Sequence, residues 1–391
     1  MDRTPVDADN LTTVRRHLHT LAELSGAEER TAAYLEEELT RCQPENLLKG
    51  LGGHGLAAVF EGTGDGPTVL LRCDIDALPL PDHADLEWRN PTGRASHKCG
   101  HDGHMTMLLG LARELSRKRP QQGRAVLLFQ PAEETGAGAR RVLDDPAFAA
   151  IQPDRVLGLH NLPGFPLGTI ILRPGIFASA SRGLTIELDG ASSHAAEPNR
   201  GRSPVPAAAT LCHVLAGLPQ QESDLNQSAQ ATVVGVQVGG PAFGTSPGSG
   251  RVMATLRTQG DRVMERLARR SQELAENIAR AHGLECRLQW SEEFPTTVNN
   301  PAVVEHLRQD LEAAGISIVE RKVPFAWSED FGHFTAAFPG AMVGLGAGKS
   351  QPALHHRDYD FPDDLLPLGV AFWRRALVSL LAGPETEGEA S

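Results

Sequence analysis

Three short, largely apolar runs constrain this chain most, because each is broken off by a loop rich in chemistry. Thr68–Cys73 (TVLLRC) runs into Asp74-Ile75-Asp76, Ala125–Phe129 runs into Gln130-Pro131-Ala132-Glu133-Glu134, and Arg155–Leu159 runs into His160. Such runs, bounded by turn residues, read as buried strands. Between the first two, Met105, Leu108, Leu109, Ala112 and Leu115 recur at helical spacing, and a short helix follows the second. Strand, loop motif and helix thus alternate three times. That order predicts an α/β unit with a mostly parallel, helix-covered sheet, whose polar motifs sit at the carboxyl ends of the strands. Upstream, the spacing predicts helices over 11–24, ended by Ser25-Gly26, and over 27–42, then an apolar run over 55–60.

The pattern changes near residue 176. Residues 183–190 (GLTIELDG) alternate apolar and polar side chains, as a half-exposed strand does. A helix is predicted over 204–218, strands over 231–238 and 252–258, a long helix over 261–282 and a strand over 286–290. Strand, helix, strand, strand, helix, strand fits a smaller ferredoxin-like α+β unit. We expect it to be inserted as a lid over 177–291, with 1–176 and 292–391 forming a discontinuous catalytic domain. The final segment predicts a helix over 301–314, another opened by Trp327–Phe331, a strand over 341–346 and a last helix over 365–381.

Composition enters mainly to exclude. A formal net charge of -12 argues against nucleic acid or an anionic membrane as the main partner. The five cysteines, Cys42, Cys73, Cys99, Cys212 and Cys286, are scattered and odd in number, so they form no disulfide framework and a reducing, cytoplasmic setting is expected. The first seven residues lack the apolar core of a signal peptide. No run is expected to reach the ~18 apolar residues of a membrane helix. The tail GPETEGEAS is small, polar and acidic, the composition of a disordered end.

The chemistry is concentrated in His97-Lys98-Cys99-Gly100-His101-Asp102-Gly103-His104. Asp102 could simply cap the following helix. A thiol and several imidazoles in one short stretch nevertheless point to a metal, zinc or a similar transition ion rather than magnesium or calcium. Glu133 and Glu134 could be a solvated acidic turn, or a pair in which one carboxylate ligates and the other moves a proton. His160 alone would pass for a core histidine; three ligand-rich motifs at three strand ends strengthen one another. Asp74 and Asp76 are either turn residues or partners that hold an imidazole in one tautomer. His355 and His356 carry weaker signals, and His194 lies in the second unit.

Taken together, DIDALP (74–79), HKCGHDGH (97–104), FQPAEE (129–134), GLHNLPG (158–164), SHAAEP (193–198), SEDF (328–331) and LHHRDYDF (354–361) resemble the aminoacylase/carboxypeptidase G-type metallopeptidases. The likeness is to the N-acyl-amino-acid amidohydrolase branch, with hippurate hydrolase and the auxin-conjugate hydrolases. It spans nearly the whole chain. The resemblance implies two divalent ions per subunit, Zn2+ or Mn2+ with Co2+ or Ni2+ also possible. Their ligands would be Cys99, His101, Glu134, His160 and His355. It implies Glu133 as general base, Asp76 as the aspartate that orients a ligand, and His194 as a lid histidine that approaches the substrate. Asp74 stands where other branches place a metal-binding histidine.

This sequence departs from the family pattern in places. Cys73 replaces an alanine before the aspartate motif, Glu197 brings a charge into the lid, and Asn199 stands where the lid motif ends in a second histidine. Gly244-Thr245-Ser246-Pro247 replaces an N-x-I-P element. His194 and Asn199 are therefore the expected substrate-facing residues. The implied activity is hydrolysis of an N-acyl amino acid or related small amide by a homodimer. The rivals are a dipeptidase on the same metal core and a binding protein that retains the fold without turnover.

Overall fold

The computed structural model describes residues 8–83 and 85–382. The expectations for the first seven residues and for the acidic tail fall outside them. The chain divides into two compact units. One is built from the chain up to Phe177, Thr297–Val323 and the chain from Asp330 on; the other comprises Ala178–Thr296 and Pro324–Glu329.

The first unit contains an eight-stranded sheet. Its order is Asn46–Leu51, Gly55–Glu61, Arg124–Gln130, Thr68–Asp74, Arg155–Leu162, Gly340–Gly346, Ile170–Leu172 and Ile318–Glu320. The middle four, from Arg124–Gln130 to Gly340–Gly346, run parallel. They read as continuous apolar runs because both faces are covered: Leu71 and Leu127 are buried, and so are their neighbours Leu70 and Leu128, which point the other way. On one face Leu18 of the Ala8–Leu21 helix, Leu108 of His101–Arg117 and Trp373 of Leu365–Ala382 join a single core with the sheet.

Sequence patterning missed Asn46–Leu51, Ile170–Leu172 and Ile318–Glu320, and also the small pair Gly175–Ala178 with Thr297–Asn299. Each is short or half-exposed and exists because a neighbour supplies its hydrogen bonds. Trp327–Phe331 does not begin a helix; the helix there is Gly332–Ala337. The expectation that nothing reaches membrane-helix length also needs correction. Leu365–Ala382 has 18 residues and a mean hydropathy of 1.5. It is a core helix, with Leu366, Val370, Trp373 and Leu377 buried. Its Arg375 pairs with Asp310 at 2.6 Å, and its Arg374 with Glu114 at 3.4 Å.

The second unit has a four-stranded antiparallel sheet, ordered Ala229–Val238, Ser249–Thr258, Ala180–Asp189, Glu285–Phe294. The helices Val205–Gly217 and Asp261–Ala281 complete the ferredoxin-like βαββαβ arrangement. Leu184, Ile186, Leu188, Leu211, Leu215 and Val252 form its core.

Candidate metal centre

The parallel strands carry the three motifs to the same end of the sheet. Thr68–Asp74 ends at Asp74, Arg124–Gln130 leads into Glu133 and Glu134, and Arg155–Leu162 carries His160 near its end. Cys99 and His101 flank Gly100, at the start of the His101–Arg117 helix. Gly100 is required twice over: its φ is +91°, and a Cβ there would lie 2.7 Å from Asn161 Oδ1. His355 comes from the loop between the Gly340–Gly346 strand and the last helix.

All five residues expected as ligands converge. Cys99 Sγ lies 3.5 Å from His160 Nε2 and 3.4 Å from His355 Nε2. Glu134 Oε1 lies 3.8 Å from His101 Nε2 and 3.9 Å from His355 Nε2. Cys99, His101 and His160 form one group whose ligand atoms fall within 4.8 Å of one another, and Cys99, Glu134 and His355 form a second. Glu133 shares a third such group with His101 and Glu134.

The donor set fits a divalent ion. Donor–donor separations of roughly 3.3–3.8 Å are what bonds of about 2.0–2.3 Å in tetrahedral geometry produce. His101 Nε2 and Glu134 Oε1 are buried and face each other without a hydrogen-bond partner. Two such atoms are costly unless something binds both. His101 Nδ1–H donates to the Asp76 carbonyl at 2.9 Å, and His160 Nδ1–H donates to the Asn161 carbonyl at 2.9 Å. Each ring is thereby held in the tautomer that turns Nε2 toward the cluster.

The electrostatics are those of a site that concentrates charge. Burial, helped by Asp76 and Asp74 and opposed by His101, pushes Glu134 up to about 8. For His101, burial alone would lower the value; Asp74, Asp76 and Glu134 outweigh it and bring it up to about 10. His160 is pushed well below its ordinary value by burial and by the nearby charge of His104.

Asp74 is not spare. Its Oδ1 pairs with His104 Nδ1 at 2.6 Å and its Oδ2 accepts from Arg72 Nη1 at 2.9 Å. Asp76 Oδ2 accepts from the Glu134 backbone N–H at 3.0 Å and from Ser25 Oγ at 2.6 Å. The Asp76 side chain therefore sets the Glu134 backbone, while its carbonyl sets His101. Asp102 does not cap its helix through the N-cap position. It is a buried carboxylate whose Oδ2 faces His19 Nδ1 at 2.7 Å and Arg15 Nη1 at 3.4 Å.

Several supporting residues had no role assigned from the sequence, although Gln130 and Ala132 lie in FQPAEE and Asp330 in SEDF. Ala132, just before the glutamate pair, has φ +54°, an unusual conformation for a residue with a side chain. The buried Glu28 holds it there, its Oε1 accepting the Ala132 N–H at 2.9 Å. Arg72 Nη2 and Gln130 Nε2 both donate to the buried Asp330, at 2.8 and 2.8 Å, beneath the strand ends. Each of these contacts joins segments far apart in sequence, so a motif can mark the residue but not its partner.

His194 and Asn199 lie in the second unit and are exposed. The His194 strand segment pairs with Thr245, next to the Gly244 departure. The Ala195 N–H donates to the Gly244 carbonyl at 3.0 Å.

A site of this composition on this fold defines a metal-dependent hydrolase of the two-unit type. Residues 70–379 match the model of Peptidase family M20/M25/M40, and the chain belongs to that family. It is 32% identical over 338 residues to an N-acetyl-L-cysteine deacetylase of Bacillus subtilis, covering 85% of this chain and 79% of that one. It is 31% identical over 365 residues to an N-acetyldiaminopimelate deacetylase of Lactobacillus helveticus, covering 90% and 92%. Among solved structures, it is similar to the Bacillus subtilis YXEP protein, described as a dinuclear metal-binding peptidase of the M20 family. There the TM-score is 0.78 at 25% identity, covering 96% of this chain and 98% of that one.

Proposed function

We propose that this enzyme hydrolyses the amide bond of small N-acyl amino acids at a centre of two divalent ions. The observation that carries the reading is the meeting of Cys99, His101, Glu134, His160 and His355 beside Glu133. The proposed ligands are those five side chains, with Cys99 common to both groups. A bound divalent ion would supply Lewis acidity, polarising the amide carbonyl and acidifying water at neutral pH. Zinc or manganese suits a mixed thiolate, imidazole and carboxylate set, with cobalt or nickel as alternatives.

The chain's own residues supply the rest. Glu133, buried in the turn that Glu28 and Ala132 shape, is the base: it takes the proton of the attacking water and delivers it to the leaving nitrogen. Asp76 keeps His101 and Glu134 in place. His194 and Asn199 are assigned to the substrate, carried by Ala178–Thr296 acting as a lid in a homodimer. Five cysteines without a disulfide among the described residues suit a reducing cytoplasm.

The named deacetylases among the relatives support an N-acetyl or similar acyl group on an amino acid. The description of YXEP as a peptidase favours dipeptides as the second reading. A panel of N-acyl amino acids and dipeptides, offered to protein reconstituted with Zn2+, Mn2+ or Co2+, separates the two. Turnover confined to dipeptides overturns the first reading, and no turnover of either overturns both.

A further inference from the structure

We propose that Lys98 is a positioning residue that fastens the His355 loop to the Cys99 turn of the metal centre. His355 sits on an irregular loop and is the most exposed of the five proposed ligands, its side chain half exposed. Its backbone is also unusual: φ is +65°, a left-handed conformation that a residue with a Cβ adopts at a cost. Something must therefore hold this turn in place.

Lys98 grips it at both ends. The Lys98 carbonyl accepts the His355 N–H at 2.9 Å. The Lys98 Nζ donates to the Tyr359 carbonyl at 2.9 Å. The turn between them is short and closed on itself, His356 N–H donating to Ala353 O and Tyr359 N–H to His356 O. Lys98 directly precedes Cys99, whose Sγ meets His355 Nε2. One residue therefore fixes the spacing of two proposed ligands that are 256 positions apart.

The lysine is built in rather than draped over the surface. It is 1% exposed, and its ammonium pairs with Asp82 Oδ1 at 2.9 Å. Asp82 Oδ1 also faces His19 Nε2 at 3.1 Å, and its Oδ2 accepts the Asn90 N–H at 3.0 Å. A buried ammonium is tolerated only with such partners. The far end of the turn has two further anchors, Arg15 on Asp360 and Asn161 on the Tyr359 hydroxyl. At the His355 end the Lys98 carbonyl bond stands beside the contact of His355 Nε2 with Cys99 Sγ, so the residue pair Lys98-Cys99 meets the turn at both the backbone and the side chain.

This inference rests on the reading of His355 as a ligand, and the experiment separates the two. Lys98→Met, Lys98→Gln and His355→Ala are prepared alongside the wild type. Zn2+ affinity and stoichiometry are measured by titration, and backbone hydrogen exchange is followed in the metal-free proteins. Lys98→Met keeps the backbone bond and removes the ammonium. We expect exchange over residues 353–360 to rise about tenfold or more, while Thr68–Asp74 exchanges as in the wild type. Zn2+ affinity at the weaker site should fall about 10–100-fold, the usual cost of losing a group that supports a ligand. Should Lys98→Met fail to fold, Lys98→Gln, one bond too short to span both partners, carries the same expectation. Unchanged exchange over 353–360 with wild-type Zn2+ affinity overturns the role of Lys98. Wild-type Zn2+ stoichiometry and affinity in His355→Ala overturns the ligand reading instead. A uniform rise in exchange throughout the chain assigns Lys98 to general stability and also overturns the proposal.

Discussion

The two units bury different kinds of residue. In the first, charged side chains lie deep in the interior: Arg15, Arg72, Asp74, Asp76, Lys98, Asp102 and Asp330 are all essentially inaccessible. In the second, the buried polar residues are the hydroxyls of Ser179, Ser181, Thr258, Ser271 and Thr296 and a single carboxylate, Glu329, on the Pro324–Glu329 segment. Its ion pairs, such as Arg287 with Glu187 and Asp189, lie at the surface. Both units reach a compact core, so an extended network of buried charge is not a requirement of folding here. Burying charge is expensive unless every charge is paired. The first unit carries that expense around the loops that bring the proposed ligands together.

The sharpest way to test this contrast is at the chemistry itself. Glu133→Gln should lower turnover by about 10²–10⁴ while metal content stays at the wild-type level. Metal analysis beside steady-state rates checks it, and a fully active variant removes Glu133 from the mechanism. Cys99→Ala should lose metal and activity together, because Cys99 belongs to both groups of ligand atoms. Full metal occupancy with ordinary kinetics would take Cys99 out of the centre.

Next in size is the charge network beneath the strands. Arg72→Met leaves Asp330 and Asp74 without their guanidinium, and should cost about 3–5 kcal/mol of unfolding free energy. Denaturant titration reads this, and a loss below 1 kcal/mol would show that the network is not held together by charge. In the second unit, Leu211→Ala should cost about 2–5 kcal/mol through the cavity it leaves, with metal binding unaltered.

A pH experiment probes the same contrast. Burial would lower His19, but Asp102 and Asp82 outweigh it and bring it up to about 9 from 6.5. A folded-state value raised above the unfolded one contributes stability that is complete below about pH 6.5 and lost as pH rises through about 9. The stability gap between wild type and His19→Gln should therefore shrink across that window. A gap that is flat or grows with pH contradicts the charged His19. The smallest effect belongs to the surface of the second unit, where Arg287→Ala should change stability by about 0–1 kcal/mol and leave turnover alone.

Much of this molecule was legible in advance. The parallel sheet could be read because buried strands must be apolar on both sides, and TVLLRC and AVLLF have no other good use. The ferredoxin-like unit could be read because half-exposed strands alternate and the Asp261–Ala281 helix is strongly amphipathic. The cluster His97–His104, the pair Glu133-Glu134 and His160 stood out because ligand chemistry restricts residue type and because strand ends collect active groups; it was the family resemblance that singled out Cys99 and His101 within the cluster. The short strands Ile170–Leu172 and Ile318–Glu320 escaped notice, since three residues carry no period and their bonds come from a partner elsewhere in the chain.

By itself, then, the sequence determined the long elements of each unit and the residue types able to hold a metal, because these follow from local periodicity and side-chain chemistry. Only the tertiary structure decided how those residues are aimed. Asp74 is committed to Arg72 and His104, Glu28 sets the turn before Glu133, and Lys98 ties Cys99 to His355. Each of these is a contact between segments distant in sequence. Such contacts depend on where the folded chain brings two groups together, and no single stretch of residues records that.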